Sequence, residues 1–554
     1  MHLSKKAKRH LLLGASAITI ALVSVSLTSC SKPQAFKPSK WHTTMEKHPA
    51  IHDPSIVMVK DKSGKPHYYV FGTHVTEAES DDLVHWNVPF TTNYENPKKN
   101  IILGNFDKNL KVPFKWAGHN DADSAGGYAI WAPDVHYDKD YKWADGSKGA
   151  YLYYFANSST WRRSVISVAA SKSIKGPYTN VKPIVYSGFT KNDATDGSDR
   201  NIKYTKTNLP KLIKSGKVSG WSDKWNMPGG SEWNHFYAPN AIDPAVFTDA
   251  HGKTWMVYGS WSGGIFMLRI NPKTGTAYYP GHDSKTKDGR IIDRYFGTKL
   301  LGGYHQSGEG PYIMYDKANK YYYLFITIGG LDYQGGYNMR MWRSKSPDGP
   351  YVDAKGQAAP SYKEATGSKI NTKYGIKISG NYKLPGMDKS YKSGGHNSAI
   401  KTPNGQYFLV YHTRFSFDNN FQLRVHQMMM NKENWPVNLP FAYTDKKPSA
   451  LAKNKIPGTY TFYNLGTQTS ASDVARKEIT LSENHLVTGG MTGKWKIEPK
   501  DSKTYYLTIT SGKTKYNGVV TTQYDNEEKK SGWKIVLSAI GNNNETIWGF
   551  KDLK

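Results

Sequence analysis

The sequence predicts an all-β protein: a five-bladed β-propeller followed by a small C-terminal β-barrel or sandwich. Three observations carry that expectation. Aromatic residues make up 13% of the chain, with 39 Tyr and 16 Trp, a bias that suits strands better than helices. One hairpin pattern recurs five times between residues 52 and 414. Beyond about residue 450 the pattern stops, and short alternating strands with polar turns take over.

The chain begins with a segment for export. "MHLSKKAKRH" is a basic n-region and "LLLGASAITIALVSVS" an apolar h-region, too short for a secure membrane span. It runs into "LTSC", which resembles the lipobox of bacterial lipoproteins and makes Cys30, the one cysteine in 554 residues, the expected lipidation site. One cysteine also excludes an intrachain disulfide. Residues 1–29 therefore read as a lipoprotein signal peptide and 30–44 as a tether. The mature protein is expected at the cell membrane, facing outward.

The five repeats follow. "HDPSIVMVKDKSGKPHYYVFGT" begins at residue 52, "WAPDVHYDKDYKWADGSKGAYLYYFANSS" at 131 and "IDPAVFTDAHGKTWMVYGSW" at 242. "EGPYIMYDKANKYYYLFITIGG" begins at 309 and "GHNSAIKTPNGQYFLVYHTR" at 395. In each, a polar residue and usually a proline precede a short apolar strand, a polar turn and an aromatic strand. The marker residues are Asp53, Asp134, Asp243, Glu309 and His396, spaced far enough apart for a four-stranded sheet each. Five such sheets arranged radially make a propeller over residues 45–450, whose innermost strands aim the five markers at one central pocket. Residues 451–554, with "TYYLTI" and "GWKIVLSAI" as the clearest strands, form the C-terminal β domain.

Three converging carboxyls suit glycosidic hydrolysis. That reaction needs a carboxylic acid to protonate the leaving oxygen and a carboxylate to activate water or attack carbon. A third carboxylate nearby helps to hold the two pKa values apart. Asp53, Asp243 and Glu309 supply such a trio. The formal charge of +29, near +25 once residues 1–29 and their four basic residues are removed, points to anionic wall polymers, phospholipid headgroups or acidic polysaccharide. No zinc-finger, basic-zipper or RNA-binding signature is present, so nucleic acid is not an expected partner.

"HDPSI", "WAPDV", "NAIDPAVF", "GSWSGGI", "EGPYI" and "GGHNSAI", in this order, resemble the signature stretches of glycoside hydrolase family 43, in particular its endo-1,5-α-L-arabinanases. The resemblance covers residues 45 to 554. It implies a monomer that hydrolyses internal α-1,5 bonds of arabinan with inversion. Asp53 is implied as general base, Glu309 as general acid and Asp243 as the carboxylate that raises and orients the acid. The 53 and 309 carboxyls are then expected roughly 6.5–9.5 Å apart. His52, Trp131, Trp161, Asn240, Ala241, Ile242, Ser260, Trp261 and Ser262 are implied as further substrate contacts, alongside Asp53 and Asp243. His396 is implied as ligand of an axial calcium ion whose shell water completes. Calcium chemistry by itself disfavours a lone imidazole and favours a histidine that orients a catalytic carboxylate. For Asp134, holding a loop and touching ligand stand as equal alternatives.

Two stretches depart from the family. "TWRRSVISVA" replaces a small glycine-containing turn, and residues 180–240 and 355–395 carry long insertions that read as solvated loops, lids or extra subsites. Other functions open to the same fold are an exo-acting arabinofuranosidase or β-xylosidase, and a non-catalytic glycan-binding lipoprotein.

Overall fold

The computed structural model describes residues 44–89, 97–119, 128–160, 163–193, 202–362, 373–527 and 531–553. The signal segment, Cys30 and nearly all of the tether lie outside them. Among the described residues no helix is long and apolar enough to cross a membrane.

The fold is all-β, with sheets in a propeller-like arrangement ahead of a closed barrel. The first sheet runs outward from Ser55–Lys60 and the second from Ile130–Lys142. A larger one starts at Ala245–Thr248, and two four-stranded sheets start at Glu309–Asp316 and Tyr391–Lys401. Each begins as the expected antiparallel hairpin; Ser55 pairs with Phe71, Ala245 with Val257 and Glu309 with Thr327. The starting strands are tied to one another by side chains. Ser398 Oγ accepts from Ile56 N at 3.0 Å, and Asp134 Oδ2 accepts from Val246 N at 2.5 Å.

The described part of the 180–240 insertion is not a solvated loop. Its short helix Leu209–Lys214 and the following turn bury Leu209, Trp225 and Trp233 against Phe189, Tyr295 and Phe296. Burial of each such aromatic contributes on the order of 2–3 kcal/mol. Tryptophan was the overlooked signal here: a solvated loop has no use for three of them, Trp221, Trp225 and Trp233, spaced a few residues apart.

The barrel closes through eight strands, from Gly458–Asn464 to Thr546–Asp552. Alternation sends Phe462, Val520, Ile535, Leu537 and Ile547 into its interior, which side chains fill. On three neighbouring strands the outward residues are apolar too. Val519, Val536, Trp548 and Phe550 form one core with Met339, Met341, Ile376, Leu439 and Phe441 of the propeller. Trp548 Nε1 and Ser538 Oγ both donate to Asn438 O at 2.8 Å. The barrel is therefore welded to the propeller through a shared apolar core.

Candidate active site

Five residues at the starts of the inner strands share one backbone conformation. Asp53, Ala132, Asp243, Gly310 and His396 have φ of 53°, 33°, 55°, 56° and 46°. Each stands directly before Pro54, Pro133, Pro244, Pro311 or Asn397. For the four non-glycine residues this left-handed geometry costs about 1–3 kcal/mol apiece, and such strain collects at functional sites. Gly310 has a steric reason as well, since a Cβ there would lie 2.8 Å from His396 Cγ.

This register corrects the expected equivalences. Ala132, not Asp134, matches Asp53, and Glu309 sits one residue before the matching Gly310. Asp134 instead accepts from Ser55 Oγ and Val246 N, joining three inner strands. Burial pushes its carboxyl up to about 6. It is a structural tie.

Asp53 lies among histidines and hydrogen-bond donors. His52 Nδ1 is 2.9 Å from Oδ2 and His396 Nδ1 3.0 Å from Oδ1, while Thr73 Oγ1 donates to Oδ2 at 2.5 Å. Thr73 is itself fixed by Ala132 N at 2.8 Å. Burial alone would raise this acid, but the charges and hydrogen bonds of His396 and His52 prevail and hold it well below the usual carboxylate range. His396 responds in kind. Its burial favours the neutral ring, yet Asp53 and Asp243 raise it to about 9. His412 completes the frame by accepting from Asp53 N at 3.1 Å and stacking on His52 with centroids 4.0 Å apart. Burial and the His52 charge keep His412 neutral, as an acceptor must be.

Asp243 meets the opposite surroundings. Its Oδ2 accepts from Gly310 N at 3.1 Å. Burial first, then the Glu309 and Asp53 charges, push its carboxyl up to about 7 against the pull of His396. Glu309 is gripped by three donors: Ser260 Oγ at 2.9 Å and Trp261 Nε1 at 3.0 Å on Oε2, and Tyr337 OH at 2.7 Å on Oε1. These fix the plane of its carboxyl. Asp243, pushed up, and Asp53, held low, thus line one cavity, while three donors orient Glu309.

The remaining expected contacts divide. His52 serves Asp53, and Ser260 and Trp261 serve Glu309, so all three orient carboxyls. Trp261 and Ser262 adopt φ of 47° and 37°, and Ser262 N donates to His305 Nδ1 at 3.3 Å. Trp131 is half-buried, anchored through Nε1 to Ser158 O at 2.8 Å and packed 4.8 Å from the His74 ring. Asn240 accepts from Ser164 Oγ and Ser187 Oγ. Ala241 is fully buried in the core, and Ile242 packs against that core. The Ala241 side chain therefore has no surface to give a substrate. Trp161 lies outside the described residues. Arg163 of the "TWRRSVISVA" stretch is buried. Thr73, His412 and Tyr337 went unseen in the sequence because none carries the acid-and-proline mark: Thr73 directly follows the strand Pro66–Gly72, His412 lies on the second strand of the fifth hairpin, and Tyr337 directly precedes the strand Asn338–Ser344.

His396 shares a small polar cavity with Asp53, Ser55, Asp134, Asp243 and Asn397. Its Nδ1 is committed to Asp53, and the oxygens of Asp134 to Ser55 and Val246. One imidazole nitrogen, Nε2, is what the histidine can offer an ion. An ion held there would have to draw the rest of its shell from water, since calcium takes six to eight oxygens. Proton and ion are alternatives at Nε2, and either leaves a cation facing Asp53.

Residues 211–436 match the family "Glycosyl hydrolases family 43", and residues 440–549 match "C-terminal lipocalin-like domain". An extracellular endo-α-(1→5)-L-arabinanase of Thermotoga petrophila is 37% identical over 515 residues, 90% of this chain and 93% of that protein. Extracellular endo-α-(1→5)-L-arabinanase 2 of Bacillus subtilis is 35% identical over 514 residues, 91% and 93% of the two. The crystal structure of the endo-1,5-α-L-arabinanase from Thermotoga petrophila superposes with a TM-score of 0.71 at 34% identity, covering 94% of this chain and all of that one. A family 43 glycoside hydrolase from Bacillus licheniformis gives 0.71 at 31%, with the same coverage.

Proposed function

Because the chain belongs to glycosyl hydrolase family 43 and is a glycoside hydrolase, we propose that it is an exported endo-1,5-α-L-arabinanase. It cuts internal bonds of arabinan by single displacement with inversion. The observation that carries this reading is the contrast between Asp53 and Asp243 beside Glu309: one carboxyl held ionised, one pushed up, and a third oriented by three donors.

Asp53 acts as the base. Held as a carboxylate by His396, His52 and Thr73, it takes a proton from the attacking water. Glu309 acts as the acid and delivers its proton to the leaving oxygen, with Ser260, Trp261 and Tyr337 keeping its plane constant through the step. Asp243 keeps a proton within the Asp243–Glu309 pair near neutral pH and positions Gly310. A calcium ion at His396 Nε2 would supply a fixed positive charge beside Asp53. The protein residues carry out the proton transfers themselves.

Five propeller blades over residues 45–450 are part of this proposal. The reading is supported by contacts that run cyclically from the inner strand at Ser55 through those at Ile130, Ala245, Glu309 and Tyr391, and back to Ser55. Export is supported by relatives that are named extracellular. Lipid anchoring at Cys30 rests on "LTSC", and Cys30→Ala is expected to move the protein from membrane to medium in a fractionation assay.

Product analysis on linear arabinan tests the activity. An endo enzyme gives a ladder of oligosaccharides whose new reducing ends are inverted by NMR; release of arabinose alone would make it exo-acting. Glu309→Gln is expected to abolish turnover of arabinan, and undiminished turnover would remove Glu309 from the acid's role.

A further inference from the structure

The loop between the first two barrel strands, residues 465–475, is eleven residues long, where a hairpin ordinarily takes about 2–5. It lies on the propeller. Buried propeller side chains donate to its successive backbone carbonyls. Arg340 Nη2 reaches Thr467 O at 2.5 Å and Lys377 Nζ reaches Gln468 O at 2.7 Å. Asn381 Nδ2 bridges Ser470 O at 3.1 Å and Ala471 O at 3.0 Å. Lys392 Nζ reaches Ala471 O at 2.9 Å and pairs with Asp473 at 2.5 Å. Arg340 and Lys377 are buried and face each other across adjacent strands. Neither has a carboxylate partner among the described residues. Like charges so placed are unfavourable, and the carbonyl row of the loop is what receives them.

The loop rests on the frame that orients the catalytic carboxyls. Gly336 lies against the Ser470 backbone so closely that a Cβ would come within 2.7 Å of Ser470 C. Asn338 accepts from Arg340 Nε at 2.8 Å and reaches Thr469 Oγ1 at 3.5 Å. Between these two residues is Tyr337, which is buried and donates to Glu309 Oε1. A second arm runs through Asn381, whose Oδ1 accepts from Ser393 N at 2.9 Å. Ser393 stands three residues before His396, the partner of Asp53.

We propose that the 465–475 loop of the C-terminal barrel is a positioning element of the active site. It sets Tyr337, and so the plane of Glu309, and steadies the strand that carries His396. The proposal rests on Glu309 acting as the acid.

Lys377→Met and Asn381→Ala each remove donors to the loop. Two glycines inserted after the exposed Ser472 loosen it while leaving every buried donor in place. Lys432→Ala is the reference: it cuts the exposed Lys432–Glu498 pair, which joins propeller to barrel away from Tyr337. With full-length enzyme on linear arabinan, the three loop variants should lose about tenfold to a hundredfold in kcat with KM within about twofold. The alkaline limb of their kcat–pH profile should move, and Lys377→Arg should restore both. Lys432→Ala should keep the wild-type profile. The insertion variant decides the matter if either buried-site variant fails to fold. Wild-type kcat and pH profile in a folded loop variant, or an equal loss in Lys432→Ala, would overturn the proposal. Glu309→Gln measured alongside separates the two readings: its inactivity with unchanged loop variants sinks the loop role alone, whereas its activity sinks the acid assignment beneath it.

Discussion

The starts of the first and third inner strands are built from nearly the same words, "HDPSI" and "IDPAV", and hold Asp53 and Asp243 at φ of 53° and 55°. Their chemistry is opposite. Asp53 is surrounded by His396, His52 and Thr73 and is held low; Asp243 has one backbone donor and two carboxylate neighbours and rises to about 7. Local sequence and backbone set where each carboxyl points. Protonation is decided by residues that other strands bring across the axis.

The comparison also runs through folding stability. Asp53 has a depressed folded pKa, so its contribution is present above the ordinary carboxylate range and is lost as pH falls through it. Asp243 has a raised one. Between about pH 3.8 and about 7 the folded chain keeps a proton that the unfolded chain has released, so stability declines as pH rises across that window.

The largest break in the contrast is Asp53→Asn, which removes the proposed base. It should lower kcat by about 10³-fold or more while circular dichroism stays native. His396→Gln keeps a hydrogen-bond donor and removes the cation. The acid limb of kcat/KM should then move upward by about a unit, with kcat reduced about tenfold to a hundredfold. Asp243→Asn makes the third position unable to titrate. The alkaline limb should shift toward acid, and the fall in Tm between pH 5 and pH 7 should flatten. Smallest is Thr73→Val, which takes one donor from Asp53 Oδ2 and leaves the histidines. A few-fold loss in kcat and a destabilisation of about 1 kcal/mol by chemical denaturation are expected.

The fivefold hairpin pattern and the three carboxyls were legible because each is marked locally, by an acid and a proline before an apolar strand. Register was not. "WAPD" and "EGP" place their acids two residues after and one residue before the matching position, and only the left-handed backbone of Ala132 and Gly310 reveals it. Thr73, His412 and Tyr337 carry no such mark; Thr73 and His412 stand at the far ends of the first and fifth hairpin stretches and Tyr337 just before a later strand. The 180–240 insertion was misread because its lysines and glycines outnumber the tryptophans that it buries. The sugar-contact reading of Ser260 and Trp261 came from the resemblance, and in the structure their hydrogen bonds go to Glu309.

The shared core beneath the barrel also bears on how the protein can be handled. A chain ended near residue 450 would leave Met339, Met341, Ile376 and Phe441 facing water, a contiguous apolar patch of the kind that drives self-association. An isolated barrel would show Val536, Trp548 and Phe550 in the same way. What looks in the sequence like a convenient place to cut is the middle of a hydrophobic seam, so the two halves should be moved, fused or evolved together.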